Sequence, residues 1–165
     1  MTSSDLQQLY QQIILDHAKA RHGFSAEPLG ALAPAPAGQG GPRTAESHQI
    51  NTSCGDEVTV RVSVPSAAAD RIDGLVWRGE GCSISMASAS VLSDAVSGVP
   101  ADEARALLGS FRDMLRSRGT IEPDEEVMGD AAAFAGVSRY PARVKCAMLP
   151  WVAFEEALLH LESAH

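Results

Sequence analysis

Three cysteines stand far apart in this 165-residue chain, and each has neighbours that a mere core filler would not need. Cys54 lies in Asn51-Thr52-Ser53-Cys54-Gly55-Asp56. Glycine accepts a positive φ, so a tight turn at Gly55 can aim the Cys54 sulfur and the Asp56 carboxylate the same way. Cys82 lies in Gly79-Glu80-Gly81-Cys82-Ser83-Ile84-Ser85, between an expected strand and a helix N-terminus. Amide dipoles there favour thiolate, the form that binds metal and attacks sulfur. Cys146 follows Arg143-Val144-Lys145, one turn into an expected last helix and beside two cations. Three thiolates and a carboxylate make the four donors that tetrahedral Zn²⁺ takes, and Cys54, Asp56, Cys82 and Cys146 are expected to converge on one metal. Soft thiolates suit iron–sulfur clusters as well. No C-x-x-C pair exists, so zinc-finger spacing is absent, and the plain alternative is that each cysteine is a small buried hydrophobe.

Bulk properties narrow the rest. A formal charge of −8, with Lys and Arg scattered, leaves no basic stripe for nucleic acid. Hydrophobic content of 45% fits a globular domain. Residues 1–10 have no basic or apolar leader character, and no apolar run approaches a bilayer span. The expected location is the cytoplasm, where three unpaired thiols stay reduced.

The elements that must position these donors read as one α+β domain over residues 1–165. Leu6, Leu9, Tyr10, Ile13 and Ile14 recur at helical spacing after possible caps at Ser3 and Ser4, with Lys19, Arg21 and Gly23 as stop signals. Residues 28–42, rich in Ala, Pro and Gly, predict a flexible surface loop. Val58, Val60, Val62 and Val64 alternate with Glu57, Thr59, Arg61 and Ser63, which predicts a half-buried strand stopped by Pro65. Neighbouring strands over 44–50 and 71–78 would complete a small antiparallel sheet of about three strands. Helices are expected from a Ser83 cap to about Ser97, from Ala101 to Arg118, and from Pro141 onward, packed on one face of the sheet. The first of these should present one stripe of Ile84, Ala87, Val91, Leu92, Ala95 and Val96. Leu107, Leu108, Phe111 and Leu115 read as core packing.

Taken together, Leu9-Tyr10 through Asp16-His17, Cys54-Gly55-Asp56-Glu57, the Gly79–Ser85 run and Arg143-Val144-Lys145-Cys146 resemble the U-type (IscU/NifU-like) iron–sulfur cluster assembly proteins. Scaffold members carry a histidine just before the third cysteine, where this chain has Lys145, and have a shorter stretch between the second and third cysteines. Both features are similar to the zinc-dependent sulfur-transfer branch of the SUF system. The resemblance implies Zn²⁺ on Cys54, Asp56, Cys82 and Cys146. It also implies that Cys54 accepts persulfide sulfur from a PLP-dependent cysteine desulfurase of the SufS type, for delivery towards a downstream iron–sulfur scaffold. Asp56, a hard ligand among soft ones, would be the one to exchange. The alternatives are a scaffold binding a transient [2Fe–2S] cluster on the same ligands, and a structural zinc module. Lys145 argues against the first and Asp56 against the second.

Two departures from the family pattern stand out. Thr52 replaces a common proline before the first cysteine. Pro150 should kink or break the last helix, since its ring clashes with the carbonyl of Cys146. His17 reads either as an exposed or capping residue or as a partner contact. His48 is a distant rival to Asp56 as fourth ligand, and His160 and His165 read as solvated. Arg143 and Lys145 are expected to compensate the anionic site or to contact a partner.

Overall fold

The computed structural model describes residues 3–26, 43–65 and 71–163. Helix α1 (Ser3–Ala20) precedes strands β1 (Arg43–Asn51), β2 (Asp56–Val64) and β3 (Gly74–Glu80). Helices α2 (Ser83–Val96), α3 (Ala101–Arg116) and the short α4 (Glu125–Met128) follow, then a 3₁₀ segment (Gly129–Arg139) and α5 (Pro141–Ser163). The loop expected at 28–42 and the caps expected from the Ser3 and Ser4 side chains lie outside what is described.

The strands form an antiparallel meander in the order β1-β2-β3, giving the expected α+β architecture. All four valines of β2 are buried, as their alternation predicts. The opposite face departs from a solvated one: Arg61 is buried as well, with Nε 2.7 Å from Glu46, its partner across β1. A buried guanidinium is tolerated because this carboxylate accompanies it. Strand β3 begins at Gly74, later than expected. Ile72 instead donates its N–H to Val99 O at 2.9 Å, tying this stretch to the α2–α3 connection.

Helix α2 corrects the sequence expectation in two ways. Its N-cap is Cys82, not Ser83. Residues 85–93 are buried without interruption, so the helix has no single apolar stripe. It lies between α1, α5 and β3. Serines make this possible, because their small side chains admit close neighbours and their hydroxyls find carbonyls: Ser88 donates to Ala147 O at 2.6 Å and Ser93 to Leu75 O at 2.9 Å.

Helix α5 runs through Pro150 without the break expected there. Proline inside a helix costs about 3 kcal/mol or more. Packing offsets it, since Trp151, stacked on Phe111 with ring centres 4.3 Å apart, and Phe154 are both fully buried beside it. The stretch before α5 had no sequence assignment. Its 3₁₀ segment buries Ala131, Ala132, Ala133 and Phe134 against α1, α3 and α5, small residues permitting the close approach. Among the described residues, no helix is long and apolar enough to cross a membrane.

Candidate metal centre

Four residues from three parts of the fold meet at one end of the sheet. The β1–β2 hairpin turns through Thr52–Gly55. Asn51 O accepts from Gly55 N–H at 2.9 Å, and Gly55 takes the positive φ (75°) that the sequence anticipates. This turn leaves Cys54 exposed and places Asp56 on the first, buried position of β2. From the other side, β3 leads through Gly81 into Cys82. The Cys82 N–H donates to Asp56 Oδ1 at 2.9 Å, and the Cys82 sulfur lies 3.7 Å from Asp56 Oδ2. Cys146 comes from α5, buried, with its sulfur 3.4 Å from that of Cys54. One donor atom each from Cys54, Asp56 and Cys146 fits within 4.8 Å of the others, and Cys82 joins through Asp56.

Gly81 is required by this closeness. A Cβ there would lie 2.4 Å from Asp56 Oδ1 and 2.6 Å from Ser85 Oγ. Burial pushes the Cys146 thiol well up, and the neighbouring Asp56, Cys54 and Cys82 push it further.

The donor set fits a metal. Asp56 is almost fully buried, accepts a backbone N–H, and has no cationic side chain paired with it among the described residues. A buried carboxylate facing thiols calls for a positive charge, and a soft-accepting cation such as Zn²⁺ would supply one. Arg143 and Lys145 do not provide it. Arg143 lies over the Tyr140 ring, 5.2 Å from its centre, and Lys145 is exposed beside Ile50, Met148 and Val152. Neither forms a hydrogen bond or ion pair with the four donors.

His48 is also elsewhere, with Nδ1 2.7 Å from Thr59 Oγ1 on the neighbouring strand. His160 is exposed, and His165 is outside the described residues. His17 is neither exposed nor free for a partner. It is buried, with Nδ1 2.8 Å from Ser90 Oγ and Nε2 2.8 Å from Asp130 Oδ2. Sequence reasoning passed over His22, Asp94 and Asp130, which gather around it. The only local signal was two histidines five positions apart at a helix end.

A three-stranded meander carrying one cysteine on a hairpin, one at a strand–helix junction and one on the last helix defines an iron–sulfur assembly domain. The chain belongs to the family of the NifU-like N terminal domain, matched over residues 10–147. It is 33% identical over 159 residues to the iron–sulfur cluster assembly scaffold protein IscU of Streptococcus pyogenes serotype M1, covering 96% of this chain and 87% of that one. It is 32% identical over 164 residues to the zinc-dependent sulfurtransferase SufU of Bacillus subtilis strain 168, covering 99% of this chain and 98% of the relative. The crystal structure of FiSufU from Fervidobacterium islandicum AW-1, described as an iron–sulfur cluster assembly scaffold protein for the SUF system, superposes with a TM-score of 0.66 at 31% identity, covering 92% of this chain and 98% of that one. The resemblance read from the cysteine motifs is thus borne out at the level of the family.

Proposed function

We propose that this chain is a zinc-containing sulfur-transfer protein that accepts persulfide sulfur from a PLP-dependent cysteine desulfurase and passes it to iron–sulfur cluster assembly in the cytoplasm. The observation that carries this is a contrast in setting. Cys54 and Cys82 are both exposed, but Cys54 sits on a hairpin turn whereas Cys82 is fixed at a helix N-cap by its own N–H bond to Asp56, and Asp56 and Cys146 are buried. A donor can reach Cys54 while the others hold their places.

Zn²⁺ held by Cys54, Asp56, Cys82 and Cys146 would keep thiols deprotonated and, lacking redox chemistry, would leave the sulfur's oxidation state alone. The Cys54 thiolate attacks the outer sulfur of the desulfurase persulfide. A new S–S bond forms at Cys54, the donor's S–S bond breaks, and its electron pair leaves on the donor cysteine as thiolate. No external oxidant or reductant is consumed. Asp56, held through Oδ1 by the Cys82 amide, keeps Oδ2 turned towards the sulfurs. In this reading Arg143 and Lys145, exposed on the helix that carries Cys146, supply cationic contacts for the desulfurase; their exposure supports this.

Similarity to the streptococcal scaffold favours a second reading, in which a [2Fe–2S] cluster is the cargo assembled on the same four residues. Lys145, in place of a histidine donor, supports transfer over assembly. Incubation with cysteine and a SufS-type desulfurase, followed by peptide mass spectrometry, tests the transfer reading, whereas visible absorption from a [2Fe–2S] cluster on the purified protein would favour the scaffold. A gain of about 32 Da, one sulfur atom, is expected first on the Cys54 peptide. Persulfide appearing first on Cys146, or equally on all three cysteines, would refute the assignment of Cys54.

A further inference from the structure

A second cluster of metal-ligating side chains lies at the far end of α2. Asp94 is twelve residues beyond Cys82 on this helix, which puts it roughly 18 Å from the cysteine site. One donor atom each from His17, His22 and Asp94 fits within 4.8 Å of the others. The His22 Nδ1 to Asp94 Oδ2 distance is 2.6 Å, and the two imidazoles meet edge to face with centres 5.2 Å apart. Asp130 Oδ2 stands 2.8 Å from His17 Nε2, just outside this group of three, and would join it as a fourth donor only by turning towards His22 and Asp94.

We propose that His17, His22, Asp94 and Asp130 form a second, thiolate-free site for a first-row divalent cation such as Zn²⁺ or Fe²⁺. Two neutral imidazoles and two carboxylates are the donor mixture that such borderline ions take, and they would leave a divalent site electrically neutral. Asp94 and Asp130 also line a cleft of about 260 Å³ together with Glu126, and no Lys or Arg lines it. The cleft thus has an acidic lining on the side of the site that carries Asp94 and Asp130, while His17 and His22 lie outside it.

The histidine that would anchor the site is already oriented. His17 is buried, and its Nδ1 lies against Ser90 Oγ, which also accepts the backbone N–H of His22 at 2.9 Å. Against the Asp130 carboxylate Nε2 carries a proton without metal, and Ser90 Oγ is placed either to donate to Nδ1 or to accept from it. With metal on Nε2 the proton moves to Nδ1 and donates to Ser90 Oγ, an acceptor in place for that tautomer. His22, Asp94 and Asp130 are about half exposed, so modest side-chain rotations close the shell around the fixed imidazole.

The test uses untagged full-length protein carrying one equivalent of Zn²⁺, dialysed against Co²⁺ with zinc and cobalt both counted. Expected is one bound Co²⁺ per chain with zinc retained, showing ligand-field absorption without thiolate-to-metal charge transfer. No bound Co²⁺ while zinc stays in place would overturn the proposal. His22→Ala and Asp94→Asn change exposed residues and should each weaken cobalt binding about tenfold or more while leaving zinc unchanged. Unchanged cobalt affinity in both would overturn it as well. In the wild-type protein, paramagnetically shifted imidazole protons should be those of His17 and His22. Shifts confined to His48 or His160 would place the ion on surface His–Glu pairs instead and refute the site.

Discussion

The sulfurs of Cys54 and Cys146 lie 3.4 Å apart, although one sits on an exposed hairpin turn and the other is buried on α5. That separation is contact without a bond, since a disulfide would bring them to about 2.05 Å. Between the two cysteines the chain builds two strands and most of the helices. The hairpin and the last helix are therefore held in place by the core, and the site inherits its geometry from that packing.

Because four converging donors fill a tetrahedral shell, purified protein should carry about one Zn²⁺ at the cysteine site and be colourless. Cys82→Ala and Cys146→Ala should each lose most of the zinc, as read by metal analysis. The Cys146 thiol is pushed up by burial and its neighbours, so binding must expel its proton. Zinc affinity should accordingly fall as pH is lowered. Iron in excess of zinc in an anaerobic preparation would contradict the assignment.

Gly81→Ala offers a test that removes no donor. The new methyl would meet Asp56 Oδ1 and Ser85 Oγ at well under contact distance, forcing the carboxylate aside. Zinc affinity, measured by competition with a chromophoric chelator, should drop about 10- to 100-fold. Gly109→Ala on α3, where an added Cβ meets nothing within 4 Å, should leave it unchanged.

Ser88 couples α2 to α5 just beside Cys146. Its hydroxyl donates to Ala147 O and accepts the Trp151 indole N–H at 3.0 Å, all within the core. Ser88→Ala leaves the buried indole N–H of Trp151 unpaired and removes one of the two donors to Ala147 O, and should cost about 1–3 kcal/mol in urea denaturation. A loss within error of zero would show that the helices repack.

Tyr10 on α1 donates to Glu125 at 2.6 Å, and burial first, then this carboxylate, push the phenol from 10.0 up to about 12. The raised value means the folded state keeps its proton longer than the unfolded chain. Its contribution to stability is full below pH 10 and disappears as pH rises through about 12. Glu125→Gln should bring the Tyr10 transition in a phenolate absorbance titration back towards 10, while burial keeps part of the shift. An unmoved transition would exclude the Glu125 contact.

What the sequence determined by itself was local. Valine alternation set the faces of β2, Gly55 set the turn that presents Cys54, and the cysteine contexts pointed to the family. Those features depend on backbone preference and periodicity over a few residues. Tertiary structure decided the rest. Residues 85–93 of α2 are buried on every side, which no helical stripe announces, because serines satisfied by distant carbonyls can be packed from all directions. Pro150 stays within a helix because aromatic packing around Trp151 outweighs a penalty that local rules treat as final. His17 looked like a surface residue and is instead an anchor, since its partners Ser90 and Asp130 are 73 and 113 positions away. Spacing along a chain reports the direction in which a side chain leaves the backbone. Which groups it meets there depends on how the helices close over the sheet.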